Sequence, residues 1–288
     1  MNSVTIAQEN LIQRLWYLAR KNPLSLLSLA LFGMYVFVAL TANYWVPFEP
    51  LKSNTAIALE APNLIHLFGT DHLGRDVFSR VMVATRLDLG IAVYAVSISF
   101  VIGTTLGSIA AYFGGWYERI IGRVADIVLA FPLFVLAMGI VAVMGNSLIN
   151  VIYATAIINI PFYIRIARAE VSIQRDRQYV QAALLSGNSH MRTLLYHIFP
   201  NCLPNLVVQI STNMGWAILN AAGLSFIGLG VRPPAAEWGI LVAEGADYII
   251  SGQWWLVLFP GLTLMLAVFS FNLLGDTLRD LVDPQKRS

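Results

Sequence analysis

Charge is what this 288-residue chain has least of: Asp, Glu, Lys and Arg make up 12% of it, against 57% hydrophobic residues, and the mean hydropathy is +0.68. A water-soluble domain carries about a quarter charged residues, so the shortfall points to lipid as the main solvent. A net charge of +2 is too small for an electrostatic footprint on nucleic acid. A single cysteine, Cys202, excludes an internal disulfide framework and reads as a small buried apolar side chain. Lysine occurs only at Lys21, Lys52 and Lys286, none in a G-x-x-x-x-G-K-[ST] phosphate loop, so the chain does not bind ATP in that way. The histidines, His66, His72, His190 and His197, share no ligand spacing and avoid the expected spans, which argues against a buried metal site. Nothing resembles a Ser-His-Asp or Cys-His pair. No catalytic, cofactor-binding or metal-ligating residue is assigned.

What is abundant is the uncharged run. Residues 22–48, 89–117, 127–164, 193–231 and 248–275 contain no Asp, Glu, Lys or Arg. A bilayer core needs about 20 apolar residues in a helix. The run at 127–164 is too long for one span, and Gly145-Asn146-Ser147 divides it. Pro200 and Pro204 delay the start of the span that follows. The expectation is an all-α, polytopic membrane protein with six transmembrane helices, at about 24–46, 89–112, 127–144, 148–165, 205–229 and 255–275. A segment 1–23 precedes the first, a loop 47–88 follows it, residues 89–275 form a five-helix core, and 276–288 form a tail. The first helix is too long for a signal-peptide core and no A-x-A-like site follows it, so it is expected to remain as an anchor.

Orientation follows from Lys and Arg. With a cytoplasmic N-terminus, the inner segments hold Arg14, Arg20, Lys21, Arg119, Arg123, Arg165, Arg168, Arg175, Arg177, Arg192, Arg279, Lys286 and Arg287. The outer ones hold Lys52, Arg75, Arg80, Arg86 and Arg232. This bias places both termini and the stretch 176–199 inside, and the loop 47–88 outside. Asp88, Asp126 and Asp276 fall at expected helix ends, so no carboxylate is expected near midplane, which weighs against an ion-driven carrier. Trp238, Trp254 and Trp255 read as interfacial anchors, and Gly223, Gly228 and Gly230 as helix-packing positions. Asp276, Asp280 and Asp283 near Arg279 read as solvated partners.

One cytoplasmic stretch is too polar to span and too regular for a slack loop. In "YVQAALLSGNSHMRTLLYHIFPN", 179–201, apolar residues recur at Val180, Leu184, Met191, Leu194, Leu195, Ile198 and Phe199. Gly187-Asn188 is a helix stop and Ser189 an N-cap for a second short helix ending at Pro200. Physics alone leaves two readings open, an interfacial linker or a docking knob whose small residues Ala182 and Ala183 admit another surface. The stretch resembles the EAA motif of bacterial ABC importer permeases, E-A-A … G … I-x-L-P. Here it reads Gln181-Ala182-Ala183, Gly187 and Ile198-Phe199-Pro200, with Gln for the usual Glu and Phe199 for the usual Leu.

Two further stretches narrow the resemblance. "FGTDHLGRDVFSR", 68–80, is similar to the extracytoplasmic element of dipeptide/oligopeptide/nickel permeases, on Gly69, Asp71, Gly74, Arg75 and Asp76. Read by itself the element is a compact turn in which Arg75 and Asp76 could pair. Glu237-Trp238-Gly239, Pro260-Gly261 and "NLLGDTLRDLVDP", 272–284, are similar to the same family's C-terminal pattern, with Ala236 and Val282 as departures. The resemblance implies a type I importer fold in the bacterial cytoplasmic (inner) membrane, with Gln181, Ala182, Ala183, Gly187, Ile198 and Pro200 coupling to an ATPase. It further implies a second, paralogous permease subunit, two ATPase subunits that carry ATP and Mg, and an extracytoplasmic substrate-binding protein. Peptide-like solutes are expected, with nickel or another small solute, or a carrier acting alone, as the alternatives.

Overall fold

The computed structural model describes residues 23–282. Their regular structure is helical apart from an isolated bridge between Thr70 and Asp76. The long helices are α1 (Pro23–Trp45), α2 (Val77–Phe113) and, after α3 (Gly115–Leu129) and α4 (Leu133–Met144), α5 (Leu148–Arg175). Two short ones follow, α6 (Gln178–Leu185) and α7 (His190–Thr193); a π-helical turn, Leu194–Ile198, leads into α8 (Phe199–Phe226). The chain ends its described part with α9 (Trp238–Ala246) and α10 (Trp255–Val282). Arg14, Arg20, Lys21, Asp283, Lys286 and Arg287 lie outside the described residues.

α1, α2, α5 and α10 are long and apolar enough to cross a membrane, and α3 with α4 make a fifth candidate bent by 90°. The six expected helices are therefore not reproduced one for one. The expected helix 127–144 is broken at Pro132, whose missing N–H and effect on Phe131 stop α3. At 12 residues, α4 reaches only about 18 Å, short of a bilayer core. The expected helix 205–229 begins at Phe199, because Pro200 falls in its first turn, where no N–H is needed. Pro204 lies inside that helix without ending it, and Asn201, Asn205, Gln209, Asn213 and Asn220 keep α8 too polar to count as a span by hydropathy.

The largest departure is at α2, which starts at Val77 where a helix was expected from 89. Asp76 accepts from the Ser79 N–H at 2.8 Å and nucleates the helix there. Its buried stripe runs through Val77, Val81, Ala84, Asp88, Ala92, Ala95 and Ser99, so charged residues sit on the packed face. Lower down, Gly103 and Gly107 press against α5: a Cβ on Gly103 would meet Tyr163 Cβ at 2.5 Å, and one on Gly107 would meet the Ile164 carbonyl at 2.4 Å. This pair of glycines is what lets the two backbones touch.

Around this centre sit three apolar cores. One joins α1, α2, α9 and α10 through Tyr35, Val81, Trp238 and Phe271. A second, with Val141, Ile158 and Leu224, joins α4, α5 and α8. The third, with Ala167, Val171, Val180, Ile198 and Cys202, underlies the short helices α6 and α7. Trp238 and Trp255 are pegs in the first core: their indole N–H groups donate to the carbonyls of Val81 (3.1 Å) and Thr70 (3.3 Å). Of the three tryptophans expected as interfacial anchors, only Trp254 is exposed.

Candidate functional site: a locked loop and an open knob

The two motif regions sit at opposite ends of α2, which at 37 residues is about 55 Å long. At its N-terminal end, Gly69 (φ +73°) and Gly74 (φ +70°) turn the 68–80 loop back on itself. Neither tolerates a side chain, because a Cβ would lie 2.6 Å from the Glu60 carbonyl oxygen at Gly69 and 1.8 Å from that of Asn54 at Gly74. The folded loop aims Asp71 inward, where it accepts from the N–H groups of Leu73 and Arg75 (both 2.9 Å), Arg75 Nε (2.6 Å) and Arg80 Nη1 (2.8 Å). Glu244 on α9 receives the other arms of the same guanidiniums, at 3.2 and 3.1 Å. Two acids and two bases thus form a closed, neutral cluster that ties the loop to α2 and α9. Burial pushes the Glu244 carboxyl up from its usual range, opposed by Arg75.

Arg75 and Asp76 do not pair with each other. Asp76 instead holds His66 Nδ1 at 2.9 Å and caps α2. Asp71, His72 and Glu244 lie close enough to hold a metal ion, but both carboxylates are already committed to the guanidiniums. A cation there would have to displace Arg75 and Arg80.

A second buried acid corrects the expectation that Asp88 marks a helix end. Asp88 is the twelfth residue of α2, fully buried, and accepts from the Trp238 N–H at 3.1 Å. Its carboxyl also neighbours that of Glu237, which caps α9 by accepting from Gly239 and Ile240. Burial pushes the Glu237 carboxyl up from its usual range. The absence of a carboxylate within the spans therefore no longer argues against an ion-driven carrier. What distinguishes this pair is its partners, a backbone N–H and a helix cap, which are fold contacts. Arg80, Asp88 and Glu244 were not singled out as site residues. The available signal was spacing, since Arg80 and Asp88 share the helical stripe of Val77, Val81 and Ala84, where a charge demands a partner.

At the other end of α2, α6 and α7 make a compact knob. Gly187 (φ +83°) ends α6 in a Schellman arrangement: the Gly187 N–H donates to the Leu184 carbonyl at 3.0 Å and the Asn188 N–H to that of Ala183 at 3.2 Å. Ser189 then caps α7, accepting from the Arg192 N–H at 3.4 Å. The knob is fastened to α2 by Tyr112 OH against His190 Nδ1 (2.9 Å) and packs on Ala167 and Val171 of α5, while Arg175 at the end of α5 donates to the Ala111 carbonyl of α2 (2.9 Å) and ties those two helices together.

The six residues expected to couple divide between two faces. Val180, Ala183 and Ile198 point into the knob's own core, Ala183 with 8% of its surface exposed. Gln178, Gln181, Ala182 and Leu185 are exposed at helical spacing on the opposite face, with Leu185 at 90%. Gly187 and Pro200 are exposed as well, and nothing lies within 4 Å of where a Gly187 Cβ would be. The expectation that Ala183 faces a partner is thereby corrected, since it fills the packing beneath α6. The second helix also does not end at Pro200, because the π-helical turn carries the chain straight into α8.

Residues 103–288 match the family described as the binding-protein-dependent transport system inner membrane component. The chain belongs to this family. It is a multi-pass membrane protein and the membrane component of a transport system. It is 40% identical to a dipeptide transport system permease protein of Alkalihalophilus pseudofirmus, over 93% of this chain and 88% of that one. It is also 40% identical to a probable D,D-dipeptide transport system permease protein of Escherichia coli K12 (94% and 91% covered). A nickel transport system permease protein of the same organism is 38% identical (90% and 93% covered). A solved structure described as an amino acid ABC transporter with histidines shares the fold, with a TM-score of 0.50 at 18% identity, covering 73% of this chain and 94% of that one.

Proposed function

We propose that this chain is one membrane-spanning subunit of an ATP-driven importer of short peptides. The observation that carries the reading is the knob, a projection at one end of α2 whose outer face, Gln178, Gln181, Ala182 and Leu185, is left uncovered by the described residues. An exposed apolar side chain beside small and amide neighbours, held on a capped helix, suits a groove on a soluble protein. That protein is an ATPase subunit, which carries ATP and Mg, and it places the knob and both termini in the cytoplasm. A paralogous permease completes the translocation path, and a binding protein delivers the solute to the face that carries the 68–80 loop. The chain has no catalytic role of its own.

In this scheme ATP closes the paired ATPase subunits, the two knobs follow, and the helices joined to them tilt. The Tyr112–His190 bond and the packing of Val180 and Ile198 on Ala167 and Val171 pass the movement to α2 and α5, which Arg175 and the Ala111 carbonyl hold together. Peptides are favoured over nickel because the Asp71, His72 and Glu244 group has its carboxylates committed to arginine. ATP-dependent uptake of radiolabelled dialanine by proteoliposomes holding the full complex is the test. Uptake that needs the ATPase subunits is expected; uptake that follows an ion gradient without them contradicts the proposal.

A further inference from the structure

At the loop end of α2, a cavity of about 640 Å³ opens between the segment after α1, α2, α5 and the residues before α9. Its walls are apolar, with Leu87, Tyr94, Ile152 and Ala236 prominent. Two side chains of opposite charge also line it, Glu49 and Arg86. Both are exposed, and among the described residues neither side chain has an ion-pair or hydrogen-bond partner, unlike Asp71, Arg75, Arg80 and Glu244 nearby. They are too far apart to meet each other within 4.0 Å. The α2 wall that carries Arg86 is held in place from behind. Asp88, two residues after Arg86, accepts from the Trp238 N–H, which fixes the strand of chain containing Ala235 and Ala236 against α2.

An apolar trough with one unpartnered cation and one unpartnered anion is complementary to a zwitterion. The terminal charges of an extended di- or tripeptide are separated by roughly 7–10 Å, so two side chains that each hold one terminus must share a cavity without touching. A guanidinium receives a carboxylate in a bidentate fork, and a carboxylate receives an ammonium. The volume lies within the range of small-molecule sites. Resting on the peptide reading above, we propose that this cavity binds both ends of a short peptide, Arg86 taking the carboxylate and Glu49 the ammonium. Tyr94, Leu87 and Ile152 then receive the peptide's side chains with little selectivity among apolar groups.

The test uses the complete complex in proteoliposomes, with dialanine uptake as one readout. Photolabelling by a dipeptide carrying a diazirine side chain, mapped along α2, is the other. Arg86→Gln and Glu49→Gln are each expected to lower uptake by about tenfold, the loss of one charge-assisted hydrogen bond, with membrane level and ATPase association unchanged. The double exchange Glu49→Arg with Arg86→Glu restores uptake, because a peptide can enter reversed. Label is expected between residues 86 and 94, competed by dialanine and lost in Arg86→Gln. Full uptake in both single variants overturns the site while leaving the proposed function standing. Label competed by phosphatidylethanolamine vesicles and not by dialanine overturns it in favour of a lipid headgroup. A wild-type complex that moves no peptide removes the proposed function, and the site with it.

Discussion

The 68–80 loop and the 178–200 knob are both glycine-punctuated motifs at the ends of one helix, yet their side chains do opposite things. In the loop, Asp71, Arg75, Asp76 and Arg80 all find partners within the chain, and a side chain at Gly74 has no space. In the knob, Gln181, Ala182 and Leu185 are left exposed by the described residues, and nothing lies within 4 Å of where a Gly187 Cβ would be. Satisfied, close-packed polar groups mark a part that holds the fold together. A rigid element with an uncovered face marks a part made for something outside the chain.

Substitutions can break this contrast, and the largest effect belongs to the loop. Arg80→Met leaves Asp71 and Glu244 short of a counter-charge in a buried cluster, at a cost of about 3–5 kcal/mol. The expected outcome is loss of protein from the membrane and a lowered melting temperature in detergent. Gly74→Ala adds a left-handed strain to a clash with Asn54, for about 2 kcal/mol or more, again read as reduced membrane level. In the knob, Gly187→Val meets the same backbone penalty of about 1–2 kcal/mol but no clash. Membrane level is therefore expected to stay normal while co-purification of the ATPase falls. The smallest effect is expected at Gln181→Glu, a surface change worth a few tenths of a kcal/mol, so ATPase association should stay within about twofold. A large loss there would mean that this face meets an acidic surface.

Much of the knob was legible in the sequence because its signals are local. Gly187-Asn188 and Ser189 act on their own backbone neighbours, and α1 fills a charge-free run of the right length. The early start of α2 was hidden because Arg80, Arg86 and Asp88 interrupt the apolar run. Arg80 and Asp88 are paired with residues more than a hundred positions away, Glu244 and Trp238. The break at Pro132 carried a local signal that span length alone passed over. Burial of Ala183 was not legible, since which side of α6 packs depends on Ala167, Val171 and Ile198 from other helices.

The central claim, that the knob docks while the loop supports, is tested most directly at Ala182, which is exposed where its neighbour Ala183 is buried. Ala182→Arg places a long side chain on the outer face without touching the packing beneath. Its membrane level and ATPase co-purification would be measured together in cells. The account predicts wild-type membrane level with the ATPase lost and peptide uptake abolished. Retention of the ATPase with normal uptake would contradict it and reduce the knob to an interfacial linker.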